Sequence, residues 1–305
     1  MDELRYDGRV AVITGAGRGL GRCYAELLAS RGCKVVVNDN GASIVGGETS
    51  ESPADEVVKA IVDAGGEAIA CLESVATEAG GKAIIQAALD KWGRIDILIH
   101  NAGNVRRGTL ADMAYSDFCS VIDVHLMGAY HVARAAFPHM QSNKFGRVVL
   151  TSSIGGLYGN YEVVNYSMAK AAMIGLSNVI CLEGKDHNIK SNIILPGAVT
   201  RMAEGLDISQ YPPMEPEKVA PVVAWLSHDT CSVSGEMYFS VAGRVARALV
   251  AETPGVYRPE WSIEDVAENL DAIRETEDLW MLAPEDYAFG QHLAQSFAIA
   301  KGGDH

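Results

Sequence analysis

The chain has 305 residues, 48% of them apolar, and a formal net charge of −14 from 25 basic and 39 acidic side chains. This length and composition predict a folded core rather than a disordered chain. Proteins that bind nucleic acid or anionic lipid need a basic surface, and the net negative charge argues against both classes. We expect one domain over 1–245, with a substrate loop over 198–214, and a helical C-terminal extension of the same domain over 246–305.

The six cysteines show no metal-binding or disulfide pattern. None forms a Cys-x-x-Cys pair or a zinc spacing with histidine, so we expect reduced thiols and no metal. The first eight residues include three acidic side chains, and no apolar run reaches the roughly 18 residues of a membrane span. We therefore expect a cytoplasmic protein without a membrane partner.

Short β-branched runs alternate with longer helix-periodic segments through the first two hundred residues. The predicted strands are 9–14, 34–38, 67–72, 95–100, 147–151, 191–195 and 237–241. This alternation predicts an α/β fold, with a doubly wound, mostly seven-stranded parallel sheet of the Rossmann type and helices on both faces.

Helix signals appear between the strands and after them. Ser52-Pro53-Ala54-Asp55 has the pattern of an N-cap with proline at the first helical position. The Gly-rich stretch from Gly41 to Gly47 before it predicts a long loop. Beyond about residue 245, 262–275 and 284–300 predict two amphipathic helices.

The first strand runs into a glycine-rich turn, Thr14-Gly15-Ala16-Gly17-Arg18-Gly19-Leu20-Gly21, before a helical stretch. A helix N-terminus offers unpaired N–H groups and partial positive charge to a pyrophosphate, and glycine at 15, 19 and 21 permits its approach. Twenty residues past Gly19, Asp39 follows the second strand, where a carboxylate accepts from ribose hydroxyls and repels a 2′-phosphate. NAD is therefore favoured. Arg18 leaves NADP or dual use open, and a glycine turn without ligand is the other alternative.

A helix-periodic segment from about residue 160 contains Tyr166 and Lys170. Residues four apart lie on one helix face, so a phenol with a pKa of about 10 gains a neighbouring cation. Ser153 follows the fifth strand, at the carboxyl edge of the sheet where ligands bind in such folds. This arrangement favours proton exchange with a substrate oxygen, and a helix-surface pair is the alternative.

These motifs, together with Asn101-Ala102-Gly103 and Pro196-Gly197, resemble the short-chain dehydrogenases in order and spacing. The resemblance implies an NAD-dependent oxidoreductase that interconverts a secondary alcohol and a ketone. Tyr166 would be the acid/base, Ser153 would polarise the carbonyl, and Lys170 would hold the nicotinamide ribose while lowering the pKa of Tyr166. The expected cofactor-binding residues are Gly15, Arg18, Gly19, Leu20, Gly21, Asp39, Ser74, Val75, Asn101, Ala102, Gly103, Tyr166, Lys170, Pro196, Gly197 and Val199.

The chain departs from the family pattern at three places. His125 stands where the family usually has an asparagine that completes a proton relay. Because imidazole also passes protons through water, we expect His125 to be a fourth catalytic residue, with a core histidine as the alternative. His100 replaces the first asparagine of Asn-Asn-Ala-Gly, and Ser74-Val75 stands where an aspartate that contacts adenine is common.

These departures point to a narrower group, because several segments of the chain resemble the (3R)-hydroxyacyl-CoA dehydrogenase units of the peroxisomal multifunctional enzymes of type 2. The matching segments are 35–41, 73–75, 124–128 and 157–160, and more loosely 200–202 and 261–272. The resemblance implies a small-molecule substrate, either a 3-hydroxyacyl-CoA or a steroid or terpenoid alcohol. It also implies a homodimer or homotetramer paired through helices around 118–138 and 166–182.

The substrate itself is not fixed by these residues. Arg106 and Arg107 are the basic candidates for a CoA phosphate, although such arginines are more often solvated. The apolar candidates for a pocket in the substrate loop are Met202, Leu206, Ile208 and Tyr211. An NADP-dependent carbonyl reductase and a catalytically idle dinucleotide-binding protein remain the alternative functions.

Overall fold

The computed structural model describes residues 3–42, 52–199 and 210–302. Most of the predicted loop before Ser52 lies outside these ranges, as do Met202, Leu206 and Ile208 of the substrate loop. The chain divides into two compact units, Met1–Arg247 and Ala248–His305.

The first unit is built around one sheet of eight strands in the order β3-β2-β1-β4-β5-β6-β7-β8. Neighbouring strands from β3 to β7 pair in parallel. All seven predicted strands are present, with bounds within two residues of those expected. The strands are β1 (Val10–Thr14), β2 (Lys34–Asn38), β3 (Glu67–Cys71), β4 (Ile97–His100), β5 (Gly146–Thr151), β6 (Ile189–Gly197), β7 (Met237–Val241) and β8 (Arg244–Ala248).

The eighth strand corrects the sequence-based count of seven. Ala242 and Gly243 connect β7 to β8 with φ values of 50° and 84°. A two-residue connection of this kind joins antiparallel strands. Because β8 has no fully buried residue, it lacks the apolar run by which the other strands were found.

Helices cover both faces of the sheet, as predicted. On one side α1 packs against α2 and α8, and on the other α5 packs against α3 and α7. Ser52 caps α2 by accepting from the Asp55 N–H at 3.3 Å, which confirms the capping pattern. The helices of this unit are α1 (Gly19–Ser30), α2 (Pro53–Asp63), α3 (Glu78–Trp92), α4 (Tyr115–Ile122), α5 (Gly128–Asn143), α6 (Ile154–Tyr158), α7 (Val164–Gly184) and α8 (Ala220–Leu226).

A crevice forms where the chain order reverses beside β1. From β1 the sheet continues to β2 on one side and to β4 on the other, and ligands bind outside the carboxyl ends of strands at such a point. Thr14, the last residue of β1, is in register with Asn38 of β2 and His100 of β4. Since every residue of β1, β4 and β5 is buried, this edge of the sheet is a rigid platform.

The second unit contains α9 (Ile263–Glu268), α10 (Leu270–Ile273), a 3₁₀ turn (Pro284–Asp286) and α11 (Ala288–Ala300). Ser262 and Asp265 form a capping box at the start of α9. The helix predicted over 262–275 is interrupted at Asn269, whose side chain donates to the Asp265 carbonyl at 2.7 Å. Asparagine bonds of this kind compete with helical hydrogen bonds. Within the described ranges, no helix is long and apolar enough to cross a membrane.

Candidate active site

The turn between β1 and α1 has the features of a phosphate-binding loop. Arg18, the N-cap of α1, makes no side-chain capping bond, and the first turn of the helix contains no acidic residue. The N-terminal N–H groups and the helix dipole therefore favour an anion. A Cβ on Gly15 would lie 2.7 Å from the Ala102 Cα, and one on Gly21 would lie 2.2 Å from the Gly15 carbonyl oxygen. The loop thus fits a dinucleotide pyrophosphate and needs glycine at these positions.

Asp39 lies against this loop, where the sequence placed a ribose-binding carboxylate. Its Oδ2 accepts from the Gly17 N–H at 3.0 Å and its Oδ1 from the Gly41 N–H at 2.9 Å. Asp39 therefore also holds the loop in shape, a role that the sequence did not reveal. Each carboxylate oxygen has a second lone pair, so the residue remains able to accept from a ribose hydroxyl.

The predicted adenine-side residues follow β3. Ser74 Oγ accepts from the Ala76 N–H at 3.2 Å, and nearby Asn38 donates to the Cys71 and Glu73 carbonyls, both at 2.9 Å. Val75 is 6% exposed, so its side chain belongs to the core and only its backbone can face a cofactor. A contact of Ser74 and Val75 with adenine stays a prediction.

Ser153 and Tyr166 meet above the carboxyl end of β5. Ser153 caps α6, and its Oγ accepts from the Gly155 N–H at 3.1 Å, which leaves the hydroxyl proton able to donate to a substrate oxygen. Tyr166 lies in the first turn of α7, and its hydroxyl is near enough to Ser153 for that side chain to affect its pKa. Burial raises the pKa of Tyr166, whereas the Ser153 hydrogen bond lowers it.

Lys170 lies one turn further along α7 and is 3% exposed. Its Nζ donates to the Thr151 carbonyl at 2.5 Å and lies 5.7 Å from the centroid of the Tyr166 ring. Burial lowers the pKa of Lys170 to about 7. Burial and Ser153 are the causes of the Tyr166 pKa shift in this geometry, and a lowering of that pKa by Lys170 stays a prediction.

His125 is buried beside Tyr166. The two rings meet edge to face with centroids 5.2 Å apart. The His125 Nε2 lies 3.0 Å from the Asn104 nitrogen and 2.8 Å from the Asn104 carbonyl oxygen, while Nδ1 has no hydrogen-bond partner among the residues that the structure describes. Burial, followed by the charge of Lys170, lowers the pKa of His125 well below its ordinary value, so the ring is neutral.

Residues from the neighbouring strand ends complete the crevice. The Asn101 amide donates to the Gly15 carbonyl at 3.0 Å, which joins the loop after β4 to the glycine turn. A Cβ on Gly103 would lie 2.4 Å from the His125 Cε1. Pro196 and Gly197 end β6, and the Val199 N–H donates to the Met214 carbonyl at 2.7 Å.

Sequence reasoning missed Asn165, which precedes Tyr166 and is fully buried. Its Oδ1 accepts from the Tyr166 N–H at 2.7 Å, and its Nδ2 donates to the Arg106 and Asp117 carbonyls at 3.2 and 3.3 Å. The side chain therefore fixes the start of α7 to the loop after β4 and to α4. The sequence gives no signal for this role, since the partners are about fifty residues away.

The two arginines considered for a CoA phosphate differ in their surroundings. Arg106 pairs with Asp117 at 3.4 Å and is mostly buried. Arg107 is exposed and forms no ion pair with the described residues. Tyr211, the described apolar candidate of the substrate loop, is 55% exposed.

Comparisons with known proteins agree with this geometry. Over 303 residues the chain is 44% identical to peroxisomal multifunctional enzyme type 2 of Drosophila melanogaster, covering 98% of the chain and 49% of that protein. The solved full-length structure of that protein matches with a TM-score of 0.79 and 38% identity, over 95% of this chain and 50% of the other. The chain thus spans about half the length of this relative.

Two further relatives differ in length. A short-chain type dehydrogenase/reductase of Mycobacterium tuberculosis is 43% identical over 265 residues, covering 85% of the chain and 91% of that protein. The peroxisomal hydratase-dehydrogenase-epimerase of Saccharomyces cerevisiae is 42% identical over 271 residues, with 85% of the chain and 29% of that protein covered. The family model for short chain dehydrogenases matches residues 9–208. The chain therefore belongs to the short-chain dehydrogenase family, whose members use nicotinamide dinucleotide cofactors.

Proposed function

We propose that this protein is an NAD-dependent dehydrogenase that interconverts a secondary alcohol and a ketone on a 3-hydroxyacyl-CoA. The observation that carries the proposal is the grouping of Ser153, Tyr166 and Lys170 at the sheet edge, next to a glycine loop that fits a dinucleotide. When bound, the nicotinamide supplies or accepts the hydride.

The chain's own residues handle the proton and the developing charge. During ketone reduction, the Tyr166 hydroxyl donates its proton to the carbonyl oxygen, and in the reverse direction it accepts the alcohol proton. Ser153, held in place by the Gly155 N–H, donates a hydrogen bond to the same oxygen as negative charge develops. Lys170 would hold the nicotinamide ribose.

His125 is proposed to pass protons to and from Tyr166. Its ring touches Tyr166, and its Nδ1 is a buried polar atom without a partner in the described part of the chain. A buried polar atom of this kind usually has a functional reason, since leaving it unpaired costs about 1–3 kcal/mol. Because the pKa of His125 is lowered, the ring stays neutral, and it can relay a proton only by accepting one on one nitrogen while releasing one from the other.

The preference for NAD over NADP rests on Asp39. Its carboxylate already faces the glycine loop through the Gly17 and Gly41 N–H groups, so a 2′-phosphate on the same ribose would meet a negative charge. Arg18 favours the second candidate, an NADP-dependent carbonyl reductase, because a guanidinium at the N-cap of α1 can bind that phosphate.

The acyl-CoA substrate is supported by the resemblance of the chain to (3R)-hydroxyacyl-CoA dehydrogenase units. The hydratase-dehydrogenase-epimerase of yeast and the type 2 multifunctional enzyme each match over most of this chain. The exposed guanidinium of Arg107, in the loop after β4, supplies a cation for a CoA phosphate. A steroid or terpenoid alcohol is the alternative substrate.

The test is a screen of the purified chain with NAD and with NADP. The substrates are (3R)- and (3S)-3-hydroxybutyryl-CoA, a secondary steroid alcohol and a terpenoid alcohol, with reduced cofactor measured by absorbance. We expect turnover of the (3R) thioester with NAD, and about 10²- to 10³-fold less with Ser153→Ala. Selective oxidation of the steroid or terpenoid would refute the substrate assignment. NADH binding without any turnover would favour the idle binding protein.

A homo-oligomer is also proposed, with α5 and α7 at the subunit contact. Exposed apolar side chains lie along both helices: Tyr130 on α5, and Met168 and Val179 on α7, between 44% and 54% exposed. Light scattering at micromolar concentration should give a dimer or tetramer, and a monomer would contradict this proposal.

A further inference from the structure

His100, the last residue of β4, is a fully buried histidine that the proposed reaction leaves without a role. Its Nδ1 lies 3.0 Å from the Thr14 hydroxyl at the end of β1, and its Nε2 lies 3.1 Å from the His125 carbonyl oxygen. The ring therefore connects the strand that leads into the glycine loop with the helix that carries His125.

The surrounding hydrogen bonds determine which nitrogen carries the proton. The Thr14 hydroxyl oxygen accepts from the Asn101 N–H and from the Ala102 N–H, both at 3.1 Å. Since a hydroxyl has two acceptor lone pairs and one proton, Thr14 must donate that proton to His100 Nδ1. Nε2 then bears the ring proton and donates it to the His125 carbonyl. Burial, followed by the charge of Lys170, lowers the pKa of His100 to about 3, which agrees with a neutral ring.

The carbonyl that accepts this bond lies in an irregular part of the helix. Asp123–Met127 forms a π-helical turn between α4 and α5, in which the Gly128 N–H bonds the Asp123 carbonyl. Such turns are rare and frequently occur at functional sites. A Cβ on Gly128 would lie 3.3 Å from the His100 Cε1, so the ring of His100 packs closely against the end of the π turn.

We propose that His100 is a positioning residue, whose hydrogen bond to the His125 carbonyl holds the π turn and thereby keeps the His125 ring against Tyr166. The proposal rests on the proposed dehydrogenase function. His100 is fully buried and hydrogen-bonds Thr14 and the His125 carbonyl, so it acts through His125. Because Thr14 satisfies the Asn101 and Ala102 N–H groups without the ring, the loop that faces the cofactor remains intact when only His100 changes.

The test compares two substitutions that differ in hydrogen bonding. His100→Gln keeps an acceptor for Thr14 and a donor for the His125 carbonyl, whereas His100→Leu has neither. With acetoacetyl-CoA and NADH, we expect His100→Leu to lower kcat about 10- to 100-fold, as for a small misplacement of catalytic groups. His100→Gln should keep kcat within about threefold, and both variants should bind NADH within about threefold of the parent by fluorescence. The control is Lys59→Leu, at an exposed position on α2, which should leave kcat unchanged.

The proposal would be overturned if His100→Leu kept the kcat of the unsubstituted protein. It would also be overturned if His100→Gln lost as much kcat as His100→Leu. If the leucine variant is unstable, His100→Met replaces it, because methionine adapts to core space without supplying the hydrogen bond.

Nitrogen-15 NMR of labelled histidines tests the same connection without turnover. The parent should show His100 protonated at Nε2, with His125 signals that move in the leucine variant and not in the glutamine variant. A proton on Nδ1, or unmoved His125 signals in His100→Leu, would contradict the proposal even if acetoacetyl-CoA proves not to be a substrate.

Discussion

Replacing Lys170 by methionine should stabilise the folded chain at pH 6 while removing its activity. Burial disfavours the ammonium, since the amine is 3% exposed and bonds only one carbonyl, that of Thr151, among the described residues. The pKa of the group falls from an ordinary 10.5 to about 7. A methionine of similar length fills the space without a charge.

The magnitude follows from linkage between protonation and folding. Below pH 7 the folded and unfolded chains both bind the proton, so the full cost of burying the charge is present. Between about pH 7 and 10.5 the folded chain has released a proton that the unfolded chain still holds, so stability rises with pH. The pKa difference corresponds to about 5 kcal/mol. Loss of the hydrogen bond to Thr151 offsets about 1–2 kcal/mol, which leaves a gain of about 3 kcal/mol at pH 6.

The assay is urea unfolding of parent and variant at pH 6 and pH 10. The gain should be present at pH 6 and largely gone at pH 10. Lys59→Met, which removes an exposed lysine from α2, is the control and should change stability little at either pH. The reasoning would be refuted if Lys170→Met were no more stable than the parent at pH 6. It would also be refuted if the gain in free energy of unfolding were the same at pH 6 and pH 10.

Three further substitutions test the other parts of the site and the sheet. Asp39→Ser should raise the ratio of kcat/KM for NADP to that for NAD by about tenfold or more, because it removes the charge facing a 2′-phosphate; an unchanged ratio in steady-state assays would contradict that role. Gly103→Ala places a Cβ 2.4 Å from the His125 Cε1 and should lower kcat at least about tenfold; parental turnover would show that the ring is not held there. Asp96→Asn removes the charge of a buried carboxylate that accepts from the Val10 N–H and pairs with the partly exposed Arg94 at 2.6 Å; denaturation should show a loss of about 1–3 kcal/mol with kcat unchanged.

The parts of the fold that sequence predicted are those with a local signal. Buried β-branched runs revealed the seven parallel strands, and the helical repeat placed Tyr166 and Lys170 on one face. The strand β8 was missed because Arg244–Ala248 is exposed, and because its turn uses Ala242 with positive φ instead of the usual Asn-Gly pair. The interruption at Asn269 was missed for a similar reason, since one side-chain bond decides it.

Within the site, the residue types were predictable and their contacts were not. The link from Thr14 to His100 joins residues 86 positions apart, and that from Asn165 to Arg106 joins residues 59 apart. No periodicity in the sequence encodes such contacts. The pKa of Lys170 could not be predicted from the sequence either, because it depends on burial among elements that meet only in the folded chain.

The most direct measurement of the central claim compares Tyr166→Phe with Tyr161→Phe. Tyr161 is 90% exposed, so its substitution removes the same hydroxyl group away from the reaction centre. With NADH and acetoacetyl-CoA, Tyr166→Phe should bind NADH as the parent does and lose turnover by at least about 10²-fold, whereas Tyr161→Phe should match the parent. Parental turnover in Tyr166→Phe would contradict the assignment of Tyr166 as the acid/base.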